Sequence, residues 1–149
     1  MLDAVADSLA AAAADVLETM FFSSVVGDAP VSEIPASGTV AVRLPFSGAH
    51  AGTFAVRLTA GAAQIVAANF LAEEAGEPTP QQVEEVVCEL ANMMCGSVLS
   101  RLDRDAHFDL GQPVLADATE PAEASVARAF DIGDGKVAMY LCMDGCYDR

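Results

Sequence analysis

The chain reads as an α+β protein made of duplicated helix-hairpin units, with one antiparallel sheet and helices packed on one face. Three observations predict this. Apolar residues alternate with period two over Thr39–Phe46 and Gly52–Leu58, and two pairs of candidate strands are each joined by a short connection with turn residues. A Thr-x-x-Gln signal opens a long helical pattern after Pro78. The order helix, hairpin, short helix, long helix, hairpin repeats one helix-hairpin unit twice.

Taken in order, the first helix is expected over Leu2–Phe22, where Leu2, Val5, Leu9, Val16 and Met20 keep helical spacing on one stripe. Gly27-Asp28-Ala29-Pro30 ends it, and a loop through Pro35, Ser37 and Gly38 follows. Thr39–Phe46 alternates Val40, Val42, Leu44 and Phe46 with outward residues, and Gly52–Leu58 repeats the pattern with Phe54, Val56 and Leu58 inward and Arg57 outward. A shorter helix over Ala60–Ala75 points Ile65, Val66, Phe70 and Leu71 inward and stops at Gly76. Thr79 then serves as a cap, Pro80 suits the first helical position, and Gln82 completes the capping box. The long helix runs from there to about Asp103. After a loop with Pro113 and Pro121, strands Ser125–Ile132 and Lys136–Met143 flank the turn Gly133-Asp134-Gly135, and Cys146 to Arg149 form a tail.

Its 149 residues suit one domain spanning 1–149, and a 53% hydrophobic share, much of it Ala, predicts close-packed helices rather than disorder. Seven basic against 22 acidic residues give a net charge of −15, which repels phosphate backbones and anionic lipid. Nucleic-acid and membrane-surface binding are therefore not expected, whereas a basic patch on a protein partner would be steered toward this surface. No apolar run is long enough to span a bilayer, and Asp3 and Asp7 replace the basic start of a secretory signal, so a cytoplasmic location with reduced thiols is expected.

Four cysteines raise a metal reading, but Cys88 and Cys95 lie seven apart and Cys142 and Cys146 four apart, neither a Cys-x-x-Cys knuckle. Buried or free thiols are expected; a structural zinc site would instead predict stoichiometric metal after purification. His50 and His107 lack a Ser or Cys arrangement to pair with, and Asp103 and Asp105 flank Arg104 as surface charges. No glycine-rich phosphate loop is present.

The long helix carries the informative pattern. At about 100° per residue, Glu85, Glu89, Asn92 and Gly96 fall within roughly 60° of one another on an otherwise mostly apolar circumference. Polar residues on a solvated helix face are commonplace, but this stripe is narrow and ends in a helical glycine, which costs about 1 kcal/mol relative to alanine. Either close helix–sheet packing or close approach of a partner would offset that cost. In the first half of the repeat Glu18 stands where Glu89 stands, and Phe21 replaces Asn92. One half alone keeps the acid–amide pair.

Glu89-x-x-Asn92-x-x-x-Gly96 on a long helix, Leu17-Glu18-Thr19-Met20-Phe21 closing the first, and the duplicated order together resemble the CheC/CheX chemotaxis phosphatases over nearly the whole chain. The single acid–amide pair looks more like the CheX branch. That resemblance implies hydrolysis of the aspartyl phosphate of a phosphorylated CheY-type response regulator. It implies that Asn92 orients the attacking water, that Glu89 pairs with the regulator's active-site lysine, and that Mg2+ belongs to the regulator while this chain binds no cofactor. Glu85 stands where the family often has Asp or Ser, and with Gly96 is expected to contact the partner; a downstream Pro often accompanies the motif, and Pro113 lies at slightly different spacing. Dimeric relatives and exposed sheet edges lead to the expectation of a homodimer. The alternative is a non-catalytic module of the same fold that docks a response regulator or a flagellar-switch-type partner.

Overall fold

The computed structural model describes residues 2–35, 38–71, 77–116, 126–133 and 135–143. Its elements are α1 (Leu2–Met20), β1 (Gly27–Ala29), a 3-10 turn (Val31–Glu33), β2 (Thr39–Gly48), β3 (Gly52–Thr59), α2 (Ala60–Leu71), α3 (Pro80–Leu102), β4 (Phe108–Leu110), β5 (Val114–Leu115), β6 (Val126–Asp131) and β7 (Lys136–Met143). No helix among the described residues is long and apolar enough to cross a membrane.

Both hairpins form. β2 and β3 pair antiparallel from Thr39 opposite Thr59 to Phe46 opposite Gly52, and β6 pairs antiparallel with β7 from Val126 opposite Leu141 to Asp131 opposite Lys136. The two hairpins join through β3 and β7, so the sheet order is β1-β6-β7-β3-β2-β4, with β5 also on β2. Period-two alternation decides which side chains enter the core. Val42, Leu44 and Phe46 of β2, Phe54, Val56 and Leu58 of β3, and Val137, Met139 and Leu141 of β7 form one cluster with the helices. From α1 come Val5, Leu9 and Leu17, from α2 Val66, and from α3 Val83, Val87, Leu90, Met94 and Val98. Fully burying each such side chain contributes about 1.5–3 kcal/mol against the entropy of ordering the chain.

The opposite sheet face is covered more lightly. Ile34, with Val31 beside it, packs on Ala55, Ala129, Ala138 and Tyr140. Arg57 points to this outer side as its register demands, yet it is buried, its guanidinium 5.9 Å from the centre of the Tyr140 ring.

Three short strands replace expected loops. β1 lies in the Gly27–Pro30 segment, and β4 and β5 fall on either side of Pro113. Each is two or three residues long and owes its geometry to a neighbour's free edge, with β1 on β6 and β4 and β5 on β2. The first helix ends two residues early, because Phe22 takes a left-handed backbone with φ 54. Gly133 turns the second hairpin at φ 95, a conformation open to glycine. Ala75 and Gly76, where the short helix was expected to end, lie outside the described residues, as do Asp134, Ser125, Pro121 and the tail from Cys146.

The start of α3 follows its sequence signal closely. The Gln82 amide donates to Thr79 Oγ1 at 3.1 Å, and the Thr79 amide donates to Gln82 Oε1 at 2.8 Å. Asp103 caps the other end, its amide bonded to the Leu99 carbonyl at 3.0 Å. Thr79→Ala should cost about 1 kcal/mol. A lowered urea midpoint with an unchanged slope would register that loss, and an unmoved midpoint would mean that Pro80 and packing alone start the helix.

Candidate functional site

One side of α3 is committed to the fold, and the other is not. Val83, Val86, Val87, Leu90, Ala91, Met94, Cys95, Val98 and Leu99 are buried against the sheet and the flanking helices. The open side includes Glu85, Glu89 and Asn92, all exposed, with half-buried Gly96 beyond them. The first three border one open groove of about 750 Å3. Across it stand Phe70 and Leu71 from the last turn of α2, and Leu110 to Pro113 between β4 and β5. Acid and amide thus share a rim with an apolar wall.

The two central side chains are free to act. Among the described residues neither Glu89 nor Asn92 has a hydrogen-bond or ion-pair partner, whereas Glu85 Oε2 accepts from Gln81 Nε2 at 3.4 Å. Three acidic neighbours make this end of α3 anionic, and the half-buried Cys88 records it. Burial first, then the carboxylates of Glu84, Glu89 and Glu85, push its thiol pKa up. Cys95, wholly buried, is pushed up to about 12 by burial. Both thiols stay protonated near neutrality, so neither offers a thiolate nucleophile. The groove presents a carboxylate for a cation and a neutral amide that can donate and accept at once.

Gly96 does not line this groove, and no close packing within the fold explains it. A methyl group at its Cα would meet no atom within 4 Å outside its own helical turn. Helix–sheet packing, one of the two expected reasons for the glycine, is therefore absent. Gly96→Ala should raise stability by about 1 kcal/mol through helix propensity alone. If a partner closes on this point, the same variant should bind that partner less well. A variant both more stable and equally competent in binding would leave the glycine without a role.

The other half of the repeat differs as the sequence said it must. Glu18 is exposed like Glu89, but Phe21 is fully buried and stacks on Phe70 with ring centres 4.9 Å apart. A core aromatic occupies the place of the amide. The histidines stand apart from the groove: the His50 ring lies 6.2 Å from that of Phe108, and His107 Nε2 sits 3.0 Å from Asp109 Oδ1 on exposed surface. Asp103 acts as the helix cap, and Asp105 is exposed. A second groove of about 590 Å3 between α1 and α3 contains Asp7, Ser100, Arg101 and Arg104, with Arg101 tied to Asp15 at 3.2 Å and to Ser97 at 3.3 Å. It has no acid–amide pair. Among the described residues no three of His, Cys, Asp or Glu gather as a metal site; Cys146 lies outside them.

Sequence reasoning missed the far wall. Phe70 and Leu71 read as inward-facing residues, and only their half-buried state at the end of α2 shows that they border open space. Pro113 was singled out by position, and it does border the groove.

Comparison with known proteins agrees with this architecture. The family model described as chemotaxis phosphatase CheX matches residues 40–130. CheX from Vibrio vulnificus superposes with a TM-score of 0.74 at 22% identity, covering 94% of this chain and 96% of that one. CheX from Desulfovibrio desulfuricans gives 0.73 at 19% identity, with 94% and 99% covered. A chain of the CheX–CheY–BeF3–Mg2+ complex from Borrelia burgdorferi gives 0.70 at 18% identity, with 96% and 99% covered. At these identities the likeness is one of fold. No curated protein matches the sequence significantly. Since the family model spans residues 40–130, more than half of the chain and the whole of α3, this protein belongs to the CheX family of chemotaxis phosphatases.

Proposed function

We propose that the chain hydrolyses the aspartyl phosphate of a CheY-type response regulator, with Asn92 positioning water and Glu89 engaging the regulator's active-site lysine. One observation carries this reading. Exposed and, among the described residues, without a hydrogen-bond or ion-pair partner, a carboxylate and a carboxamide stand one helical turn apart on the rim of one groove. The CheX–CheY complex of the Borrelia protein supports a CheY-like partner, since the two folds correspond over nearly their full length.

The chemistry suits these residue types. Water attacks phosphorus, the bond to the regulator's aspartate breaks, and that carboxylate leaves as inorganic phosphate is released. Phosphoryl transfer asks mainly for positioning and charge stabilisation. The Asn92 amide accepts from the water or donates to it without adding negative charge beside the phosphoryl oxygens. Glu89 sets the register through a charge-assisted bond to the lysine, and Glu85 adds attraction at the rim. The required Mg2+ belongs to the regulator's own site. A homodimer fits the two sheet edges, one of which carries exposed Val114 and Leu115 on β5.

The test is the loss of phosphate from candidate CheY-type regulators, phosphorylated by a small-molecule donor, with and without the protein. Acceleration of at least one regulator is expected. Binding to a beryllofluoride-loaded regulator with no change in the decay of its phosphate would replace catalysis with docking.

A further inference from the structure

Phe22 occupies a position built for glycine. Its φ of 54 is left-handed, which crowds Cβ against the following carbonyl and is an outlier for a bulky side chain. Three polar anchors hold it there. The Leu17 carbonyl accepts from the Phe21 and Ser23 amides at 3.2 and 2.9 Å, and the buried Ser23 Oγ donates to the Phe21 carbonyl at 3.3 Å. From α2, Asn69 Nδ2 donates to the Phe22 carbonyl at 3.4 Å and to Ser23 Oγ at 3.3 Å. The surroundings over-determine a backbone shape that the side chain itself opposes.

Among the described residues, none packs against that side chain closely enough to bury it. Phe22 is 72% exposed, and Met20 beside it 42%. With Val26 they make three of the five large apolar residues exposed among the described residues. Two large apolar side chains exposed at one turn, Phe22 and Met20, mark a contact surface more than scattered ones do. Its place identifies the partner. Asn69 immediately precedes Phe70, and Phe70 both stacks on Phe21 and borders the acid–amide groove, so this turn is fastened to the groove's apolar wall. Glu85 and Glu89 are exposed, so contacts they make to a partner give more steering than affinity. Apolar anchors beside them would supply the affinity.

We propose that Phe22, supported by Met20, is the apolar anchor that grips the response regulator beside its acyl-phosphate site. The inference rests on the phosphatase reading for its partner. Its test compares the parent with Phe22→Gly, Phe22→Ala and Phe22→Tyr, measuring Kd for beryllofluoride-loaded CheY-type receivers and the KM and kcat of dephosphorylation. Phe22→Gly should melt about 2–4 °C above the parent, since glycine relaxes the left-handed turn. It should nevertheless bind about tenfold more weakly, as should Phe22→Ala, with the loss in KM rather than kcat and with Phe22→Tyr near the parent. Parental Kd and KM in the glycine and alanine variants would overturn the anchor and leave the phosphatase reading standing. If the parent binds a receiver without speeding its decay and Phe22→Gly weakens that binding, the anchor stands and the hydrolytic reading falls. No binding to any receiver overturns both. A change in sedimentation with unchanged receiver affinity would make this turn an interface between two copies of the chain and overturn the proposal.

Discussion

Asn92→Ala should leave the fold unaltered and remove nearly all regulator dephosphorylation. Asn92 is exposed, and among the described residues it has no hydrogen-bond partner, so its loss should move stability by no more than about 0.5 kcal/mol. The rate should behave differently. Removing one preorganised polar group from a reacting centre costs about 3–4 kcal/mol, roughly 10²–10³-fold. Because the amide acts on the attacking water, the loss should appear in kcat, with regulator affinity retained through the apolar contacts. Asn92→Asp should fall as far despite its matching shape, since a second carboxylate near Glu89 repels the phosphoryl oxygens. Single-turnover decay of a phosphorylated regulator separates these effects from binding. Parental decay with Asn92→Ala would end the assignment.

The elements that announce themselves locally were readable before any coordinates. Thr79, Pro80 and Gln82 carry the start of α3 within four residues, and both halves of that capping box form. The first hairpin was legible because Thr39–Phe46 and Gly52–Leu58 alternate, so one face must turn inward or expose every apolar side chain at once, and the second because Gly133-Asp134-Gly135 marks its turn. The acid–amide stripe was legible for the same reason, as helical periodicity places Glu85, Glu89 and Asn92 together whatever the helix packs against. Partners remote in sequence were not. β1, β4 and β5 are too short to carry a period, and each exists because β6 or β2 presents an unpaired edge. The groove's far wall depends on where α2 ends relative to α3. The end of α1 was misplaced because propensity favours continuing through Phe22, while tertiary anchors from Ser23 and Asn69 turn the chain there.

Phe21→Asn, which restores the amide of the other half-repeat, should destabilise the protein without adding a second site. Phe21 is fully buried and stacks 4.9 Å from Phe70, so the change removes an aromatic pair and opens a cavity. The incoming amide would sit in apolar surroundings without assured partners, adding a desolvation penalty. Together these should cost about 3–5 kcal/mol, enough to lower the urea midpoint sharply. The damage should also reach the surviving site. Phe70 borders the groove that holds Glu89 and Asn92, and its ring is held by Phe21. Regulator binding should therefore weaken even under conditions where the variant remains folded. The two halves are thus physically coupled: the aromatic standing where the first half would place an amide supports the wall facing the other. A Phe21→Asn protein with parental stability and raised activity would mean instead that Phe21 only covers a competent second site.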